Sequence, residues 1–139
     1  MKNFLLAFAL IFFFIASAAK AQSYIEKAAT EERLYKWDGQ FLMKANTEER
    51  LFRWNGIYIM TANTSERLYK WDGQFLMKAN TQERLFRWDG IYIMTANTSE
   101  RLYKLDGQFL MTSNTGVRLL KIDGKIPTAI MIALATGLI

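Results

Sequence analysis

The chain has 139 residues, 18 of them Lys or Arg and 13 Asp or Glu, with a formal net charge of +5 and neither histidine nor cysteine. Those two absences exclude Ser-His and Cys-His nucleophilic machinery, the usual zinc sites and any stapling by disulfides. The charge is mild and contains no run of Lys and Arg, so no nucleic-acid partner is expected.

Residues 1–21 open with "MKN", continue as "FLLAFALIFFFIA" and end in "SAAKA". A charged start, an apolar run and small residues in that order are the pattern of a secretory signal, with cleavage expected after Ala21. The run from Phe4 to Ala16 is 13 residues, short of the roughly 20 that a membrane-spanning helix needs. The mature chain is thus expected outside the cell, secreted or at the cell surface. Without Lys2 and Lys20 it carries 16 basic against 13 acidic residues, a net +3. Residues 22–29 read as a linker.

From Thr30 the chain repeats at an offset of 17 residues, giving units 30–46, 47–63, 64–80, 81–97, 98–114 and a degenerate 115–131. At an offset of 34, residues 30–63 and 64–97 differ at three places only: Glu31 against Ser65, Glu48 against Gln82, and Asn55 against Asp89. Repetition at a short period marks units too small to bury their own apolar face, which must stack on one another.

Within each unit a turn dipeptide separates two β-prone runs such as "RLYKW" and "QFLMK". The dipeptides are Asp38-Gly39, Asn55-Gly56, Asp72-Gly73, Asp89-Gly90, Asp106-Gly107 and Asp123-Gly124. Asn-Gly and Asp-Gly tolerate the positive φ of a tight hairpin turn, so each unit reads as a β-hairpin. A helix over "NTEERLFRWNG" and its copies, capped by Asn46 or its equivalents, is the alternative, but Leu, Phe or Tyr, and Trp at that spacing make no helical stripe and nine residues are marginal.

Two registers suit the turns. A two-residue loop sets Tyr35 opposite Leu42; a three-residue loop with a glycine bulge sets Tyr35 opposite Phe41. Both strand faces carry apolar side chains, so both need cover.

The sixth unit replaces Trp by Ile122 and places Pro127 in its expected second strand, which therefore belongs at an edge. Residues 132–139 read as an apolar C-terminal cap over the open end. The expected fold is all-β: six tandem 17-residue hairpins stacked as a solenoid or open antiparallel meander.

For function, the conspicuous residues are Trp37, Trp54, Trp71 and Trp88 beside the turns, with Tyr35 and Tyr69 nearby. A row of Trp can stack on sugar rings or cationic headgroups, or form the packing between units. Every repeated Asp and Glu has copies at the same place, which is not how a single asymmetric acid–base site is built, so no catalysis, metal or cofactor is expected. Units with a Trp, an Asp-Gly turn and a following Phe or Tyr resemble the aromatic hairpin repeats of choline-binding and related cell-wall-binding modules, over Thr30 to about Gly124. That resemblance implies a secreted module holding a carbohydrate or cell-wall ligand in a cage of Trp37, Trp54, Trp71 and Trp88. The second functional class is a self-associating surface fibre or matrix component, since "QFLM" and "IYIM" are β-prone and an open stack leaves unpaired strand edges. Asn63-Thr64-Ser65 and Asn97-Thr98-Ser99 match the N-glycosylation triplet, in links expected to be exposed.

Overall fold

The computed structural model describes residues 22–139, so the leader expected over residues 1–21 lies outside the described residues. The chain forms β1 (Ser23–Lys27), β2 (Arg33–Trp37), β3 (Phe41–Lys44), β4 (Arg50–Trp54), β5 (Tyr58–Thr61), β6 (Arg67–Trp71) and β7 (Phe75–Lys78). It continues through β8 (Arg84–Trp88), β9 (Tyr92–Thr95), β10 (Arg101–Asp106), β11 (Phe109–Thr112), β12 (Arg118–Asp123) and the helix α1 (Thr128–Thr136). Each strand pairs antiparallel with its chain neighbours, in the hairpin order that the turn dipeptides predict.

The hairpins do not form a solenoid or an open meander. β1 pairs with β12, with Ile25 opposite Ile122 and Glu26 opposite Lys121, and the twelve strands close into a barrel. The expected linker thus contains a structural strand. Its sequence explains why: "SYIEK" lies 17 residues before "QFLMK", with Tyr24 at the place of Phe41 and Ile25 at that of Leu42. β1 is the second strand of a unit whose first strand is β12, so one hairpin is split between the two ends of the ring.

A twelve-stranded barrel is wider than the eight-stranded kind whose lumen its own side chains fill. Here the filler is α1. Ile130, Ile132, Ala129 and Ala133 are fully buried, and they cluster with Ile25, Leu42, Ile59, Leu76, Ile93 and Leu110, one inward residue from each unit. The helix sequence "TAIMIALAT" is apolar on every side, the composition of a helix surrounded by protein. Pro127, expected in an edge strand, is instead the helix N-cap, where its missing N–H is no loss. Gly137 adopts φ 74°, and the Leu138 N–H reaches back to the Ala133 carbonyl at 3.0 Å, closing the C-terminus in a Schellman-type turn. The apolar tail therefore fills the barrel rather than covering its end. Among the described residues no helix is long and apolar enough to cross a membrane.

Neither expected register occurs. Trp37 stands opposite Leu42, Lys36 opposite Met43 and Tyr35 opposite Lys44. The turn residue is what shifts the pairing: Asp38 Oδ1 accepts from the N–H groups of both Gln40 (2.9 Å) and Phe41 (2.7 Å), so Phe41 joins the turn. Asn55, Asp72 and Asp89 do the same in their hairpins. Gly39 takes φ 100°, the conformation that selects glycine there. No Tyr35–Phe41 pair forms across the hairpin, because Phe41 lies next to the inward Leu42 and points out.

At the opposite end the links carry a second left-handed position. Glu31, Glu48, Ser65, Gln82 and Ser99 have φ of 56° to 59°, and the sixth unit has Gly116 in that place. A non-glycine residue in this region costs about 1–2 kcal/mol, part of which glycine returns in chain entropy. Ser65→Gly with Ser99→Gly should therefore raise stability by about 1 kcal/mol in total, with a melting temperature higher by a few degrees. Thermal melts followed by circular dichroism at 218 nm would read it; a lower melting temperature would show the links to be unstrained.

Candidate functional site

Strand alternation would place Arg50 on the same inward face as Phe52 and Trp54. A bulge prevents it. The register slips between Leu42 and Met43, so Leu42 faces Phe52 while Met43 faces Arg50, leaving Leu51 as the extra residue. The same slip recurs wherever one unit meets the next. It turns an arginine outward in each unit and adds curvature to the wall.

Each outward arginine lies over the ring of the preceding strand. Arg33 sits 3.8 Å from the centroid of Tyr24, Arg50 4.2 Å from Phe41 and Arg67 4.3 Å from Tyr58. Arg84, Arg101 and Arg118 cover Phe75, Tyr92 and Phe109 at 4.0 to 4.1 Å. Such stacks contribute roughly 0.5–1 kcal/mol at exposed sites and hold a planar donor in place. One strand position further along, Lys36, Arg53, Lys70, Arg87, Lys104 and Lys121 also point outward, since each precedes an inward Trp, Leu or Ile. The outer wall thus repeats one arrangement six times, an arginine on a ring with a second cation on the same face and a link beside them, called a cleft below after its first copy; beside Arg67 a cavity is lined by Glu66, Leu68, Tyr69, Lys78 and Asn80.

In the first copy the cleft has a volume of about 210 Å³ and is lined by Tyr24, Arg33, Lys36, Ala45, Asn46 and Glu48. Lys36 Nζ donates to Glu48 Oε1 at 2.7 Å, and the lysine side chain is only 11% exposed. The hydrogen bond that Lys36 donates to Glu48 raises the Lys36 pKa above its ordinary value, and the same bond holds the Glu48 carboxyl below its own. At the seam Lys121 Nζ meets Glu31 at 3.1 Å, and this contact raises the Lys121 pKa.

The four tryptophans lie on the other side of the wall. Trp37 is buried, and Trp54, Trp71 and Trp88 are half-buried and pack against the barrel core with Tyr35 and Tyr69. Tyr69 Oη also donates to the Leu138 carbonyl at the end of the tail. Their packing against the core is the arrangement that stacking between units requires. Leu105 and Ile122, which stand in the tryptophan positions of units five and six, line a cavity of about 290 Å³ with Ile126, Thr128 and Met131, where the chain turns from β12 into the lumen.

The turn residues Asp38, Gly39, Asn55, Gly56, Asp72, Gly73, Asp89 and Gly90 are where the sequence predicts them. In the fifth hairpin β10 runs through Asp106, which pairs with Phe109, and Gly107 with Gln108 makes a tighter turn. The Asp89 carboxyl is held below the usual range by the N–H groups of Tyr92 and Ile91. For Asp72, burial acts upward, but the N–H groups of Phe75 and Gln74 and the charge of Arg84 outweigh it. Both turns therefore lend stability above pH 3.8 that is lost as pH falls through the depressed values.

The outer cationic clefts are the feature that the sequence reading missed. The signal was present in the recurrence of Arg and Lys three residues apart (Arg33 and Lys36, Arg50 and Arg53), but period-two alternation puts such a pair on opposite faces. Only the bulge brings them together. Among the described residues no group of three or more acidic side chains is placed to hold a metal ion. Comparison with family models, with curated proteins and with solved structures gave no match.

Proposed function

We propose that this chain is a non-catalytic binding protein of the cell exterior, which engages surface or cell-wall glycans through the outside of its barrel. The observation that carries this reading is the sixfold cleft, in which a guanidinium fixed on an aromatic ring presents its remaining donors beside a second cation and, in five copies, an Asn. Sugar hydroxyl and acidic groups are acceptors of the kind such donors recognise. The leader pattern in residues 1–21 agrees with an exterior location. A spanning barrel turns an apolar band outward, whereas here the outer wall bears twelve Lys and Arg side chains. Fibre formation through strand edges is less favoured, because pairing of β1 with β12 leaves the barrel no free edge.

A glycan array probed with the mature chain tests the reading. Arg67→Ala with Arg84→Ala should lower binding about tenfold or more, the loss of charged hydrogen bonds worth at least 1.4 kcal/mol, while the loss of two ring stacks lowers the melting temperature by only several degrees and leaves the chain folded. Trp54→Leu should do the reverse, lowering stability and leaving affinity intact. An array with no bound glycan, or binding lost only in the tryptophan variant, would overturn it.

A further inference from the structure

The six clefts are alike in backbone and unlike in charge. In the copy containing Lys36 the link supplies Glu48, and in the copy containing Lys121 it supplies Glu31; each carboxylate sits on the lysine. In the other four copies the same link position holds Ser65, Gln82, Ser99 or Gly116, none of them charged. Beside them stand Arg50 with Arg53, Arg67 with Lys70, Arg84 with Arg87, and Arg101 with Lys104. Among the described residues none of these eight cations makes an ion pair. Tip aspartates lie near some of them, as Asp72 does to Arg84 and Asp89 to Arg101 and Arg87, but their Oδ1 atoms are engaged by turn N–H groups.

Two further observations point the same way. Arg53 and Arg87 each have an Nε that is buried without a hydrogen-bond partner. Among the described residues their outer nitrogens find only Ser65 Oγ at 3.5 Å and Met94 Sδ at 3.6 Å, weak substitutes for an oxyanion. The seam carries a third acid as well: Glu26, 7% exposed and opposite Lys121, occupies the place that Met43, Met60, Met77, Met94 and Met111 fill in the other units. At the seam the acids sit on the cleft cations, whereas along the arc from β4 to β11 the link residues Glu66, Glu83 and Glu100 make no ion pair with the eight among the described residues, Glu83 being held by Lys78.

We infer that the four unpaired clefts along β4 to β11 bind successive acidic groups, sulfate ester or carboxylate, of one extended anionic glycan. Glu48 and Glu31 show how such a group sits, since each places a carboxylate oxygen on the cation of its own cleft. Two strands separate one cleft from the next, on the order of 9.5 Å around the wall, a step suited to a polymer with a regularly spaced charge. This inference rests on the glycan-binding reading and names its ligand class and the clefts used.

The test adds the missing carboxylate where the protein has already shown it to fit. Ser65→Glu, Gln82→Glu and Ser99→Glu, combined in the mature chain, copy Glu31 and Glu48 at the same left-handed backbone position, so folding is expected to be retained and is checked by circular dichroism. Calorimetry with a heparin oligosaccharide, with an oligogalacturonate and with a neutral cello-oligosaccharide should show wild-type binding to at least one of the two acidic probes. The triple variant should bind that probe at least about tenfold more weakly, with a shallower dependence on salt. Glu31→Gln with Glu48→Gln should strengthen binding. The two acidic probes separate sulfate from carboxylate as the preferred group. Acidic-probe binding that is unchanged by the triple substitution, or a neutral probe bound as tightly as the acidic ones, would overturn the inference and leave the glycan-binding reading standing. Absence of binding to both acidic probes would overturn the inference, an empty glycan array would overturn the glycan-binding reading with it, and tighter binding to duplex DNA would replace the glycan with a nucleic acid.

Discussion

Ile132→Asp should leave the mature chain without cooperative tertiary structure at room temperature. Ile132 is 0% exposed on a helix surrounded by barrel wall, and no basic side chain belongs to the cluster around it. The substitution forfeits about 1.5–3 kcal/mol of apolar burial and strands a carboxyl among hydrocarbon, so the total exceeds about 5 kcal/mol. Whole domains of this size are stable by roughly 5–15 kcal/mol. Ile132→Ala, which removes only atoms, should cost about 2–5 kcal/mol, and Ile57→Asp, at a hairpin tip that is 49% exposed, should stay within about 0.5 kcal/mol. Urea unfolding of the three variants, followed by tryptophan fluorescence, would rank them. An Ile132→Asp protein that unfolds like the wild type would mean that the helix does not occupy the lumen.

The second large effect is expected at the seam, where Gly124→Ala should destabilise by about 3–5 kcal/mol. Two costs add there. Gly124 has φ +104°, and an alanine in that region loses about 1–2 kcal/mol by itself. Its Cβ would also run into Ser23 Oγ and lie 2.8 Å from Ser23 Cβ, forcing β1 away from β12. The hydrogen bond from the Lys125 N–H to Ser23 Oγ, 2.9 Å long, would go with it. Gly73→Ala is the control, since its φ of +98° is similar but nothing lies within 4 Å of the added carbon, so only the conformational cost remains. Ser23→Gly should recover part of the loss in Gly124→Ala and none of that in Gly73→Ala. Equal losses in the two alanine variants would show that the seam is not closed by this contact.

The local structure could be read from the chain because it depends on neighbouring residues. Asp38-Gly39 and its copies set the turns, and the runs around them set the strands. Closure could not be read in the same way, since it depends on residues 24 and 123 meeting across the whole molecule. Its local trace, the likeness of "SYIEK" to "QFLMK", lies in five residues with the only acid, Glu26, at a methionine place. The helix was hidden by the repeat itself: alignment carries "KIPTAIM" into register with "QFLMKAN", whereas its all-round apolarity marks a buried helix. The site was hidden by the bulge. With strict alternation Arg50 faces in and Arg53 out, and no inspection of spacing unites them. The tryptophans were visible and their exposure was not, because which face of a strand turns inward is decided by closure.

Because the first and last strands are halves of a single module, adding or removing one 17-residue copy would leave both halves still matched, with the circumference changed by two strands. What limits the count is the peg in the middle. A wider ring would leave α1 loose and a narrower one would exclude it, so the girth of one apolar helix gauges how many copies the gene can usefully keep.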